Sequence, residues 1–297
     1  MEVDTIQNLA KEKILGLKES YIDIVEINKP KTLDEAVELS KVISKLSPIV
    51  GNNLEFYIVD ALNKYGEMKK IGRWERQDPG FPDAIFITDA ISESIGFEIK
   101  AWYPFSTEIT GRFKSSTNLL KDNSFDLALI VWLPEYVFWG KPKIIDIGLF
   151  DCESVANARN THYHNPPEYL VKEPENTENR TENLQQRNTE GYVIQAVKNE
   201  KQVLVKKGEI YMQDIDMGVE YDVSKNYQDK IKKLMSQIDY RLDTNYAKIN
   251  RINHTDINKF KQHILEYVYN GRTINQWIRI QKEGNEKELK ECLGSLL

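Results

Sequence analysis

Asp83, Glu98 and Lys100 have the residue types and the spacing that hydrolysis of a phosphodiester bond requires. The reaction builds negative charge on the phosphorus centre and the leaving oxygen, so a site must supply a cation, a nucleophile and positive charge. Mg2+ prefers oxygen ligands and usually takes one or two protein carboxylates. Asp83 and Glu98 are therefore the candidate metal ligands. Lys100 would orient the attacking water, help to deprotonate it, or stabilise charge in the transition state.

Two β-strands must position these three side chains. In the run 96–100 the side chains alternate, so a strand places Glu98 and Lys100 on one face and its apolar residues toward the core. Asp83 begins the preceding apolar run, 84–87, and the polar stretch between the runs is long enough for a hairpin loop. Antiparallel pairing would bring Asp83 beside Glu98. The alternative is a solvent-facing ion pair of Glu98 and Lys100 on an edge strand.

The motif Pro82-Asp83 followed by Glu98-Ile99-Lys100 resembles that of the PD-(D/E)xK nuclease superfamily. The resemblance extends over roughly residues 50 to 150. It implies an α/β fold with a restriction-endonuclease-like core, in which helices flank a central mixed β-sheet, and it implies Mg2+ as the cofactor.

The resemblance also implies a further catalytic acid on the helix before the first motif strand. Glu55 occupies a comparable place, and Asp60 or Glu67 would be the substitutes. After Lys100 the superfamily pattern requires a helix and another strand. The segments 109–121 and 125–133 fit these two elements.

Apolar periodicity predicts the other elements of the chain. A capping box at Thr32 to Glu35 begins a helix that runs until Pro48. Further helices are predicted over 53–64, 227–242, 257–268 and 274–280, and strands over 68–74, 143–150, 191–197 and 201–205.

Composition predicts a globular chain. It has 297 residues, 40% of them hydrophobic, with 15 Tyr and 5 Trp, and no apolar run approaches the roughly 18 residues of a membrane span. The first residues have no signal-peptide pattern, so we expect a cytoplasmic protein. Cys152 and Cys292 are far apart and form no CxxC motif, which argues against a disulfide framework and a structural zinc site.

The charge distribution is uneven along the chain. The net charge is −6, yet residues 225–282 contain 12 Lys and Arg against 5 Asp and Glu. A basic segment of this kind either contacts nucleic acid or is a solvated helix face. We expect 223–297 to be a basic helical region for DNA contact or dimerisation. The junction at 271–273 resembles a helix-turn-helix turn, although a helical bundle is the simpler interpretation.

The segment 157–191 is rich in Asn, Gln and Arg, the side chains that hydrogen-bond to base edges in the major groove. It would be an insertion in a nuclease core spanning 1–222, and it also has the composition of a flexible loop or a dimer contact. The two imidazoles of His162 and His164 would share one strand face. The candidate DNA contacts are Arg112, Lys114, Arg159, His162, His164, Arg180, Asn183, Gln185, Gln186 and Arg187.

The combination is most similar to a type II restriction endonuclease, a Mg2+-dependent enzyme that cuts double-stranded DNA at a short site. That similarity implies a homodimer and a cognate DNA methyltransferase as a functional partner. One alternative is a repair or junction-resolving nuclease that reads DNA shape. Another is a DNA-binding protein on a nuclease-like fold without catalysis.

Overall fold

The structure is a computed structural model, in which the described residues are 3–23, 25–64, 66, 68–78, 80–106, 108–113, 117–163, 169–172, 191–194, 240–242, 248–282, 286–294 and 296–297. The helices are α1 (Val3–Leu15), α2 (Leu33–Val42), α3 (Ser47–Asn63), α4 (Thr117–Leu120), α5 (Cys152–Tyr163), α6 (Thr255–Glu266), α7 (Ile274–Lys282) and α8 (Glu286–Gly294). The strands are β1 (Arg73–Arg76), β2 (Ala84–Ile87), β3 (Ile95–Trp102), β4 (Ser124–Pro134), β5 (Pro142–Asp151), β6 (Tyr169–Lys172), β7 (Gly191–Ile194), β8 (Tyr240–Leu242), β9 (Val268–Tyr269) and β10 (Arg272–Thr273). Short 3-10 helices span Ile43–Leu46, Met68–Lys70 and Ile249–Arg251.

A mixed sheet of five strands, in the order β1-β2-β3-β4-β5, organises the main compact unit. β3 and β4 are parallel, and the other neighbouring pairs are antiparallel. β4 is central and almost entirely buried, because its run of aliphatic residues suits a strand covered on both faces. The predicted α/β architecture with a mixed sheet flanked by helices and a C-terminal helical region is confirmed.

Helices cover this sheet. α3 packs against β1 and β3, α1 against β3 and β5, and α6 against β5. The contact of α6 includes the rings of Phe150 and Phe260, whose centroids are 5.8 Å apart. α3 places Leu54, Ile58 and Leu62 in the core, one helical turn apart. This spacing orients the opposite side of α3 away from the core.

The C-terminal segment 255–297 folds with the sheet in one compact unit, together with residues 1–111 and 115–154. The junction between α6 and α7 is a small antiparallel hairpin and not a helix-turn-helix turn. Asn270 and Gly271 have positive φ angles of 48° and 80°, the conformation that a two-residue Asn-Gly turn favours. A reciprocal capping box between Thr273 and Gln276 then begins α7.

The second compact unit comprises 112–114 and 155–254. It contains most of α5 and a three-stranded sheet in which β7 pairs with β6 in parallel and with β8 in antiparallel orientation. The predicted domain boundary at 222 lies outside the described residues, as does the predicted strand over 201–205.

Several predicted elements differ in extent. Within the described part of the helix expected over 109–121, residues 117–120 form α4, whereas residues 109–113 are not helical. The strand expected over 68–74 begins only at Arg73, after a 3-10 helix. Among the described residues, no helix is both long and apolar enough to cross a membrane.

Candidate active site

The antiparallel pairing of β2 with β3 brings Asp83 to the middle of the motif strand, as predicted. Ala84, the first residue of β2, lies opposite Phe97, so Asp83, directly before β2, reaches β3 two residues beyond Phe97. Its Oδ2 atom accepts a hydrogen bond from the Ile99 amide at 2.8 Å. This main-chain bond holds the carboxylate against β3, next to Lys100.

Lys100 links the two acids. Its Nζ atom lies 2.9 Å from Asp83 Oδ2, 2.7 Å from Glu98 Oε1 and 3.0 Å from the Ile99 carbonyl oxygen. Burial lowers the pKa of Lys100, but attraction to the two carboxylates outweighs burial, so its pKa lies above the ordinary value. The three side chains therefore form one charged cluster, and the exposed edge-strand alternative does not describe them.

Glu98 is the most constrained member of the cluster. It is 8% exposed, and its Oε2 atom is buried without a hydrogen-bond partner among the described residues. Burial raises the pKa of Glu98 to about 7, with a further contribution from Asp83, although Lys100 acts in the opposite direction. A carboxylate oxygen in this position can accept a hydrogen bond or coordinate a cation.

Gly96 allows this close arrangement of strands. A β-carbon at Gly96 would overlap the Pro82 side chain and would lie 2.7 Å from the Ala84 carbonyl oxygen. Pro82 thus packs over Gly96, which has no side chain. This contact packs Pro82, the neighbour of Asp83, against β3.

Glu55 lies on α3 and belongs to the same region. Burial raises its pKa, and the charge of Asp83 adds to that effect, whereas Arg76 and Lys100 lower it. Arg76 on β1 donates from Nε to Glu55 Oε2 at 2.7 Å, and its guanidinium carbon lies 4.5 Å from the centre of the Phe56 ring. The alternative acid Asp60 pairs instead with exposed Lys64.

A cleft of about 630 Å3 lies next to the cluster. Its lining includes Glu55, Ile99 and Lys100, together with part of the segment 44–52 and of the segment 106–111. Residues of the segment 44–52 and Arg76 were not predicted to belong to the site. Whether these residues reach the site depends on which face of α3 is turned toward the cleft. No local sequence pattern indicates that orientation.

The residues fit a hard divalent cation, although no group of three or more His, Cys, Asp or Glu able to hold a metal ion occurs in the described part of the chain. Mg2+ commonly takes only one or two protein carboxylates and leaves its other positions to water and phosphate. Asp83 would supply one carboxylate, and Glu98 Oε2, which has no hydrogen-bond partner among the described residues, would supply an oxygen from the second.

The residues predicted to contact DNA have mixed outcomes. Arg112 is half-buried and its backbone forms a bridge to Lys248. Arg159 is 3% exposed and donates to the Phe113 carbonyl oxygen, so it does not present its guanidinium as an exposed base contact. His162 belongs to α5, which contradicts the predicted strand. The remaining candidates lie outside the described residues: Lys114, His164, Arg180, Asn183, Gln185, Gln186 and Arg187.

Comparisons with protein families, curated proteins and solved structures give no match to this chain.

Proposed function

We propose that the protein is a Mg2+-dependent endonuclease that hydrolyses DNA phosphodiester bonds with Asp83, Glu98 and Lys100. The observation that supports this most directly is the buried Glu98 carboxylate, which has one oxygen on Lys100 and the other without a described partner. Burying such an oxygen without a donor is unfavourable, and strongly perturbed carboxylates cluster at functional sites. The adjacent cleft gives a substrate access to Lys100.

Each residue has a distinct role in this proposal. Asp83 and Glu98 hold the cation, and the bond from the Ile99 amide keeps Asp83 in place. Bound Mg2+ would neutralise phosphate charge and lower the pKa of a coordinated water. The raised pKa keeps Lys100 cationic at neutral pH, which favours orienting water and stabilising charge over removing a proton. Glu55, held by Arg76, adds negative charge on the α3 side.

The finer form of the proposal is a type II restriction enzyme with a restriction-endonuclease-like fold. The motif acid directly before β2, the acid and lysine on β3, and the parallel strand β4 support it. The Asn, Gln and Arg content of 157–191 supports base readout. A homodimer would place one site on each DNA strand, and a cognate methyltransferase would protect the host's own sites.

Two alternatives remain distinguishable by experiment. A repair or junction-resolving nuclease would use the same cluster but read DNA shape. A non-catalytic DNA-binding protein on a nuclease-like fold would bind DNA equally well without Mg2+ and after the substitution Lys100→Ala.

The test is incubation of the purified full-length protein with long unmodified DNA, with and without Mg2+. Discrete fragments whose ends map to one sequence would support the restriction enzyme, and Arg180→Ala or Asn183→Ala should then alter site choice while cutting persists. A smear, or cutting confined to branched DNA, would favour the repair nuclease. Intact DNA together with Mg2+-independent binding would support the non-catalytic alternative.

A further inference from the structure

One wall of the cleft carries polar side chains that no other described residue uses. Ser44, Lys45, Ser47 and Asn52 all line it, and none of them makes a side-chain hydrogen bond or ion pair within the described part of the chain. Asn53, the neighbour of Asn52 on α3, is engaged instead, since it donates to the Ile49 carbonyl oxygen. Four uncommitted polar side chains thus lie together at the cleft.

Helix geometry explains this gathering. Ser47, Gly51 and Glu55 are four residues apart on α3 and therefore share a face, and Asn52 lies beside them. The 3-10 helix Ile43–Leu46 precedes α3 without a break and places Ser44 and Lys45 at the same wall. The wall thus leads from Lys45 along the helix to Glu55.

The opposite wall is a shaped loop next to the catalytic lysine. Ser106 uses its hydroxyl to hold the loop, donating to the carbonyls of Tyr103 and Glu108. Gly111 lies against the Lys100 stem, since a β-carbon there would be 3.1 Å from Lys100 Cβ. A ligand that lies along α3 therefore meets Lys100 on this side.

The charge of Lys45 indicates what the ligand is. Lys45 is exposed and has no carboxylate partner among the described residues. By contrast, Lys41 lies 2.8 Å from Glu38, and Lys64 is ion-paired with Asp60. The one carboxylate in the cleft lining, Glu55, is held by Arg76. An uncompensated cation among hydroxyl and amide groups suits a phosphate.

We propose that this cleft is the track for the backbone of the DNA strand being cut. In it, the Lys45 ammonium neutralises a phosphate that neighbours the scissile one, and Ser44, Ser47 and Asn52 donate hydrogen bonds to phosphate oxygens. Its volume of about 630 Å3 suits a short piece of one strand, while the rest of the duplex lies outside. This inference rests on the proposed nuclease function and adds a substrate-binding site to it.

The test compares Lys45→Ala with Lys45→Arg and with Lys41→Ala, a control on α2 whose lysine is paired with Glu38. Binding of a fluorescein-labelled 30-base-pair duplex is measured in EDTA by anisotropy across a range of salt concentrations. Cleavage of long DNA in Mg2+ gives KM and kcat, and thermal unfolding checks the fold. We expect Lys45→Ala to weaken binding about 3- to 10-fold and to reduce the salt slope by about one.

The outcomes separate the two proposals. Weaker binding and higher KM in Lys45→Ala with kcat changed less than twofold, and recovery in Lys45→Arg, would support the track. If the wild-type protein cuts DNA but Lys45→Ala and Lys41→Ala behave alike, the track is wrong and the nuclease proposal stands. If the wild-type protein neither binds nor cuts DNA, both proposals are wrong.

Discussion

Glu98 is an ionisable side chain in a place where its charged form is disfavoured. Burial raises its pKa to about 7, its Oε1 atom contacts the Lys100 ammonium, and its Oε2 atom has no hydrogen-bond partner among the described residues. A purely structural residue at this position would be better as an amide or an aliphatic side chain. Ionisation of Glu98 destabilises the folded protein. Such a cost is expected if the function of this carboxylate is to bind a cation.

Because the pKa of Glu98 is raised in the folded protein, we expect the stability of the protein to depend on pH. The unfolded chain ionises Glu98 near its ordinary pKa of 4.5, whereas the folded chain retains the proton until about pH 7. Stability from this residue is therefore present at low pH and is lost as pH rises through that window. The Glu98→Gln variant has no carboxylate at this position and therefore does not lose this stability as pH rises. We expect its unfolding free energy to exceed that of wild type by about 2–3 kcal/mol at pH 8 and by much less at pH 5.

Urea unfolding at both pH values measures the difference. Glu38→Gln, at an exposed position on α2, is the control and should change stability by a similar small amount at pH 5 and pH 8. A difference between Glu98→Gln and wild type that is constant with pH, or that shrinks toward pH 8, would contradict the assignment.

Lys100 competes with a cation for the same oxygens, which gives a second prediction. Lys100→Ala removes the ammonium from between Asp83 and Glu98, so we expect Mg2+ to stabilise this variant more than wild type. Cleavage should nevertheless fall about 100-fold or more, because the positive charge beside the reacting phosphate is gone. Unfolding temperature against Mg2+ concentration and the cleavage rate are the two measurements.

Lys64→Ala removes a lysine from an exposed ion pair on α3 and is the matched control, expected to resemble wild type in both measurements. Equal stabilisation of Lys100→Ala and wild type by Mg2+ would show that Lys100 does not occupy part of the metal site.

At the scale of elements, the approach of β2 to β3 determines whether the site exists. Gly96→Ala would place a methyl group against Pro82 and the Ala84 carbonyl oxygen, so the strands must separate or shift. We expect a loss of about 1–3 kcal/mol in stability and a loss of cleavage larger than that loss explains. Gly66→Ala, where a β-carbon meets nothing within 4 Å, is the control. Cleavage that falls only in proportion to the folded fraction would argue against this role.

The C-terminal helices belong to the main compact unit and contribute buried side chains to its core. Trp277 on α7 is buried, donates from Nε1 to the Tyr269 carbonyl oxygen at 2.8 Å and packs edge-on against Phe138. We expect Trp277→Ala to lower the unfolding free energy by about 3–5 kcal/mol. Val268→Ala, at a side chain 64% exposed, should change it by less than about 0.5 kcal/mol. Similar effects of both substitutions would contradict this packing.

Across the whole molecule, the features that could be predicted from the sequence are those that depend on local patterns of residues. Alternation within 96–100 places Glu98 and Lys100 on one face, and the long apolar run of β4 and the amphipathic α6 and α7 are equally local signals. The Asn270-Gly271 hairpin also has a local signal, although the segment was interpreted as a turn between helices. These features could be predicted because each depends on neighbouring residues alone.

Other features depend on tertiary contacts and could not be predicted in this way. The pairing of Glu55 with Arg76 joins residues from α3 and β1, and Arg159 is buried against the Phe113 backbone despite the polar composition around it. The cleft likewise requires the orientation of α3 relative to β3. A net charge of −6 for the whole chain says little about a local cationic surface such as that of Lys45.

In the proposed function, Asp83, Glu98 and Lys100 form a Mg2+-dependent phosphodiesterase site. The most direct measurement is the rate of cleavage of long, sequence-diverse DNA at increasing Mg2+, for wild type and Glu98→Gln at equal folded concentration. We predict Mg2+-dependent cutting by wild type and a loss of at least about 100-fold in Glu98→Gln, although that variant is the more stable protein at pH 8. Equal cutting by the two proteins, or intact DNA with wild type at every Mg2+ concentration, would contradict the claim.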